Sequence, residues 1–345
     1  MHGALSSPVG NRQRHGMGTF WQRRWFAVVL CVGIALALAD PGGRVSAFLG
    51  WFVSRYIVAA VLFSMSWSLP TGRLWLAVRY PAGVLWAYSV SFVLMPLLGA
   101  MAAAAVPAAD LRIGLLVAVS VPCTLASAAI WTRLAGGDDA LALLVTFLTN
   151  CTSWLVTTLW LKWATGTETA LPVAQMMADL VLYLGVPVLA GQLLRGPALL
   201  RICADRGRSA LSVLCRLLIL IVILQAVVAV RQSMPEGSGP SDIGLTALVA
   251  LQCLLLHLAG WLVAYRVGAW LRLERERRIG AAFAGSQKSL PVGLMILQAF
   301  FADHPRAVLP MLLYHVGQLL VDTVLADVLR HKGSGPAAGA VEPSQ

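Results

Sequence analysis

The sequence predicts an all-α integral membrane protein. Ten transmembrane helices are expected, in two inverted five-helix repeats whose fourth and ninth helices are broken. Three observations lead there. Hydrophobic residues fill 59% of 345 positions against 12% charged, and the mean hydropathy of +0.78 lies far above that of soluble domains. Apolar runs long enough to cross a hydrocarbon layer of ~30 Å recur along the chain. The chain also resembles itself when slid by 165 residues.

Taken in order, the expected spans are 24–40, 50–68, 82–105, 111–132, 140–161, 176–195, 210–231, 243–265, 279–301 and 307–329. They form one transmembrane unit over 24–330, with repeat one at 24–162 and repeat two at 176–330. Residues 1–23 and 331–345 are left as cytoplasmic tails. The net charge of +11 raises a nucleic-acid partner until the basic residues are placed on the loops. With the N-terminus cytoplasmic, the opposite side holds only Arg44, Arg112, Lys162, Arg231 and Arg306. That asymmetry follows the positive-inside rule, with both termini inside a plasma or bacterial inner membrane. The expected partners are therefore a lipid bilayer and a small organic solute, with no nucleic acid, and the oligomeric state is not legible. Arg55 can snorkel from a helix end. Cys31, Cys123, Cys151, Cys203, Cys215 and Cys253 show no Cys-x-x-Cys spacing and read as buried thiols.

The offset lays SVPCTLASAAIWTRLAGGDDALALLVTFLTN, from Ser120, over GSQKSLPVGLMILQAFFADHPRAVLPMLLYH, from Gly285. In each copy a polar cluster with a proline interrupts an apolar helix, an Asp-containing loop follows, and the next helix carries a polar residue. Thr124 faces Ser289, Asp138 faces Asp303 and Asn150 faces His315. Five spans separate the copies, which inverts the second in the membrane, and paired inverted repeats with broken helices are a sign of secondary transporters.

Pro122 and Pro291 each remove a backbone donor and crowd the preceding turn, freeing carbonyls that lipid cannot satisfy. Such backbone belongs around a polar cavity, where half-helix ends can hold an ion and an anionic group. A simple kink is an equally good reading of either proline. Lys288 falls about ten residues, or ~15 Å, from either end of its helix, which makes it an interior site candidate. Its alternative is a structural donor to carbonyls of the opposite broken helix. Ser64, Ser66 and Ser68 read as packing hydroxyls, and His257 and His315 as interhelical partners. Asp322, about two turns from a helix end, either reaches the interface or stays inside.

SFVLMP from Ser91, VPCTLASAAIWTRLAGGDDA from Val121, TFLTN from Thr146, and GSQKSLPVG followed by PMLLYHVGQ resemble the bile acid:sodium symporter family, more narrowly its SBF-like branch. The resemblance implies that helices four and nine cross in a core, that helices one, two, six and seven form a panel, and that solute binds between them with alternating access. Ser127, Thr146 and Gln287 match positions that hold sodium or line the crossover. Four positions depart. Ser91 stands where sodium-coupled members have glutamine, Ala128 where they have asparagine, Phe283 where they have glutamate, and Lys288 where an asparagine follows the glutamine. An anionic ligand is lost and a cation gained, which weighs against sodium coupling of the bile acid type.

The expected function is a secondary active transporter of a small organic, anionic solute. Thr124, Ser127, Thr146, Asn150, Gln287, Lys288 and Ser289 form the expected crossover, supported by Ser91, Pro122, Pro291, His315 and Gln318. No cofactor is expected. The coupling ion is either Na+, held at Ser127, Thr146 and Gln287, or H+, with Lys288 as a fixed or titrating charge. A regulator of calcium or ion balance stays open, as does an export carrier of the arsenite or auxin type, for which Cys123 would be the thiol. An enzyme is not expected, since neither a nucleophile with its base nor a His-Glu-x-x-His cluster is present.

Overall fold

The computed structural model describes residues 28–29, 31–40, 43–79, 81–166, 171–233 and 240–333. The expected N-terminal tail, and the C-terminal tail from 334 on, lie outside these. Among the described residues every element is helical. Helix α1 (Cys31–Ala39) meets α2 (Arg44–Gly50) at 111°. There follow α3 (Ser54–Ser68), α4 (Thr71–Val78), α5 (Pro81–Ala103), α6 (Ala109–Ser120), α7 (Ser127–Leu134), α8 (Asp139–Thr165) and α9 (Val173–Leu193). The remainder comprises α10 (Ala198–Arg206), α11 (Arg208–Ser233), α12 (Pro240–Trp270), α13 (Arg275–Ser286), α14 (Leu290–Phe300) and α15 (Val308–Gly333).

Six of these, α5, α8, α9, α11, α12 and α15, are long and apolar enough to cross a membrane, and the bent pair α1–α2 would make a seventh. They coincide with six of the expected spans. The other expected spans are not continuous long helices: α3 has 15 residues, and the segments around 111–132 and 279–301 are each two short helices joined by extended backbone. The outer surface is apolar, with Leu85, Leu182, Leu251 and Leu320 exposed, while Lys288, Asp322, His257, Gln287 and Asn150 are buried. That is the distribution lipid demands, because buried polar groups then satisfy one another.

α3 packs against α9 and α11, and α11 against α2, which brings together three of the four segments expected as a panel; in the fourth, Gly33 of α1 lies against Leu224 of α11. α12 packs on α13 and α15, α15 on α6, and α8 on α7 and α9. Contacts also join the ends of separate helices: Asp138 N–H bonds to Glu276 O at 2.8 Å, Arg195 donates to Trp67 O at 2.7 Å, His304 pairs with Asp110 at 2.7 Å, and Arg231 with Asp40 at 3.7 Å.

Two helices carry π turns, and proline explains both. In α5 the turn spans Val90–Leu94, where Met95 N–H reaches back five residues to Val90 O. The next position, Pro96, has no N–H, so Ser91 O loses its intrahelical donor. In α9 the turn Val181–Gly185 has the same form, with Val186 N–H on Val181 O and Pro187 next in sequence.

Candidate functional site: the crossing of two broken helices

The first break follows from Pro122. A residue before proline is pushed to extended backbone, and Val121, with φ −69° and ψ 157°, ends α6. The second break follows differently from the expected one. Pro291 lies in the first turn of α14, where its missing N–H would have no helical partner anyway. Its ring would crowd the carbonyl four residues back if the helix continued, so Gln287 leaves the helix as extended chain, at φ −72° and ψ 144°. Thus Pro291 starts a helix as much as it breaks one.

The two extended segments touch: Ser289 N–H donates to Pro122 O at 2.9 Å. The other freed groups are met by side chains. Asn150 Nδ2 donates to Cys123 O at 2.9 Å and to Thr146 O at 2.7 Å. Gln318 grips the second break at two points, its Oε1 accepting from Lys288 N–H at 2.9 Å and its Nε2 donating to Lys288 O at 3.1 Å. Tyr314 O–H donates to Ser286 O at 2.8 Å. His315, which the offset set against Asn150, contacts Gln318 Nε2 through Nδ1 at 2.9 Å; Gln318, one turn on, performs the role that Asn150 has in the first break.

Lys288 is fully buried. Its ammonium donates to Ser91 O at 2.6 Å and Val121 O at 3.1 Å, with Ser91 Oγ at 3.3 Å, and stands 5.7 Å from the centre of the Phe92 ring. Both carbonyls lack helical donors, one at the π turn and one at the end of α6, where a cation also opposes the helix dipole. The lysine therefore ties three elements together at the crossing.

On the other flank of the break, Thr124 Oγ1, Ser127 Oγ and Gln287 Oε1 form a triad with edges of 2.5, 2.6 and 2.7 Å. Two hydroxyls supply two hydrogens for three contacts, so one edge has none. An oxygen-rich, hydrogen-poor triad suits a hard cation, and Asn150 Oδ1, buried without a hydrogen-bond partner in the structure, is another acceptor of the same chemistry. Thr146 donates its hydroxyl to Leu143 O at 2.8 Å, and its carbonyl accepts from Asn150. No cluster of His, Cys, Asp and Glu able to hold a metal occurs among the described residues. Cys123 is buried, its thiol on Thr124 O.

Two further residues join the network that sequence reasoning did not place there. Asp322 is fully buried: its Oδ2 accepts from Gln287 Nε2 at 2.6 Å, and its Oδ1 lies 2.9 Å from His257 Nε2. Asp322, the deeper of the two aspartates on α15, was the available signal, and counting residues from the helix end left its place undecided.

Away from the crossing, a crevice of about 280 Å³ lies among α2, α3, α11 and α14, lined by Ser46, Ser54, Gln225, Gln232 and Gln298 among others. Gln225 is held by Ser54 at 2.7 Å and by the carbonyls of Leu49 and Phe52.

Two broken helices crossing at polar backbone, inside a bundle with an apolar surface, are the build of a membrane transporter. Residues 24–331 match the model of the SBF-like CPA transporter family, and the chain belongs to that family. It is similar to an uncharacterized protein of Pseudomonas aeruginosa, with 30% identity over 75% of this chain and 78% of the relative. To the probable sodium/metabolite cotransporter BASS4, chloroplastic, of Oryza sativa it is 26% identical over 91% and 77% of the two chains. To the sodium/bile acid cotransporter 7 of Danio rerio it is 23% identical over 91% and 96%. The family and the named relatives are transporters, not enzymes.

Proposed function

We propose that this chain is a secondary active carrier of a small organic, anionic solute, working by alternating access. The observation that carries this is the backbone contact of Ser289 N–H with Pro122 O, which joins two broken helices amid acceptors that lipid could not satisfy. In this reading α3 and the broken pairs α6/α7 and α13/α14 complete ten spans with the bent pair and the six long helices, as two inverted repeats. Both termini face the cytoplasm of a plasma or bacterial inner membrane, since the loops on that side hold most of the basic residues. The panel-side crevice, with its amides and hydroxyls, is where the solute would enter between panel and core. The coupling ion is Na+ at Thr124, Ser127 and Gln287, or H+. Bound there, Na+ would bring the positive charge that lets an anionic solute dwell inside the bilayer.

The test is uptake of a solute library into liposomes containing wild type or Lys288→Ala, under a sodium gradient, a proton gradient or neither. Gradient-driven accumulation supports a carrier, and the gradient that drives it names the ion. Uptake of no solute under any gradient would count against the proposal.

A further inference from the structure

Asp322 decides which way Gln287 faces. A side-chain amide can turn end for end, and the hydroxyls of Thr124 and Ser127 do not choose between its ends because each can donate or accept. An ionised carboxylate only accepts. Asp322 Oδ2 takes the NH2 of Gln287 at 2.6 Å, which leaves Oε1 facing Thr124 at 2.6 Å and Ser127 at 2.7 Å. His257, in contact with the other carboxylate oxygen at 2.9 Å and with Ser286 O at 3.3 Å, holds Asp322 from turning. The ammonium of Lys288 is engaged elsewhere, by Ser91 and Val121.

Phe283 is buried and apolar, so its position on α13 gives the crossing no negative charge. Asp322 reaches the same crossing from α15 instead. We propose that Asp322 is a positioning residue for a monovalent cation. It turns the Gln287 carbonyl toward Thr124 and Ser127, completing an acceptor triad, and it places an anion one side chain behind that triad. This deepens the carrier reading by supplying the charge for its coupling ion. The chemistry is that of Na+, a hard cation wanting several oxygens with one negative charge close by.

The experiment is equilibrium binding of radioactive Na+ to the purified full chain in lipid nanodiscs, with the sodium-dependent rise in unfolding temperature, against choline, as a second readout. Wild type binds. Asp322→Leu loses affinity by roughly tenfold or more, the scale on which a neighbouring charge acts. Gln287→Glu added to Asp322→Leu restores most of it, because a carboxylate presents oxygen whichever way it turns. A folding defect at 322 would not be repaired by a change at 287. Should the leucine variant fail to fold, Asp322→Asn keeps the shape and is still expected to lose affinity. Unchanged affinity in the folded Asp322 variant, no rescue by Gln287→Glu, or a wild type that binds no Na+ overturns the proposal. Solute uptake with no Na+ binding would sink this inference alone, and Na+ binding with no solute uptake would sink the carrier reading alone.

Discussion

Lys288 Nζ and Ser91 O meet at 2.6 Å across 197 residues of chain. The lysine fills a vacancy that Pro96 creates, since residue 96 cannot supply the N–H that a π turn would aim at Ser91 O.

Removing the ammonium should therefore expose two carbonyls at once. Lys288→Met leaves Ser91 O and Val121 O without a strong donor, at about 1–3 kcal/mol for each buried orphan. Pro96→Ala supplies an N–H close to Ser91 O, so the double variant should recover about 1 kcal/mol relative to additivity. Unfolding of the four proteins in one detergent measures the cycle. Strict additivity would mean that Ser91 O was never in need of the lysine.

Gln318 both donates to and accepts from the Lys288 backbone. Gln318→Leu should raise exchange of the Lys288 amide and lower stability by ~2 kcal/mol. Gln318→Glu keeps the acceptor for Lys288 N–H and should preserve its protection. Hydrogen exchange with mass spectrometry across the 287–289 segment reads this directly, and equal exchange in all three proteins would contradict it.

Gly114 on α6 is pressed against the backbone carbonyl of Ala307, where a Cβ would collide. Backbone cannot yield as a side-chain tip does, so Gly114→Ala should cost about 1–3 kcal/mol. Gly244 on α12 has nothing within 4 Å of the corresponding point, so Gly244→Ala should stabilise, by up to ~1 kcal/mol from helix propensity. Thermal unfolding of both variants supplies the contrast, and matching effects would show that the close approach at Gly114 is not limiting.

At the rim near α10, the hydrogen bond from Arg195 holds the Asp205 carboxyl below its ordinary pKa, aided by the charges of Arg195, Arg208 and Arg201. A lowered folded-state pKa means stability that is fully present above the unfolded value and lost as pH falls through the folded one. Asp205→Asn should thus weaken the link from α10 to Arg195 at neutral pH, while its difference from wild type shrinks once the pH drops below the ordinary carboxylate range. Unfolding curves from pH 7 to 3 test the sign. A difference that grows toward acid would reverse it.

The places where the helices break could be read along the chain because a proline's effect is local: Pro122 and Pro291 act within four residues of themselves. The same holds for Asp138, whose side chain caps α8 by accepting from Ala140 N–H and Leu141 N–H. Partnerships between distant helices were less legible. Asp322 reaches Gln287 across 35 residues and His257 across 65, and nothing in the local pattern around α15 signals either. The π turns are not legible because the few polar residues of these spans, such as Ser89 and Ser91 in α5, form no continuous stripe whose slip would reveal a change of pitch. Self-alignment matched Asn150 to His315 by position, whereas the structure matches it to Gln318 by role, one turn away.

The π turn in α5 also bears on what kind of sequence change this helix can absorb. Such a turn is one residue longer than an ordinary α turn. Before it, Trp86 Nε1 bonds to Ala264 O at 3.0 Å, and within it Phe92 O takes Trp160 Nε1 at 2.6 Å. Deleting Val93 would make the Val90 O to Met95 N–H contact an ordinary four-residue step, closing the π turn with the helix on either side still in register. α5 should thus absorb the loss of one residue inside this turn, whereas a deletion between Trp86 and Val90 would swing Trp86 by about 100° around the axis relative to Phe92.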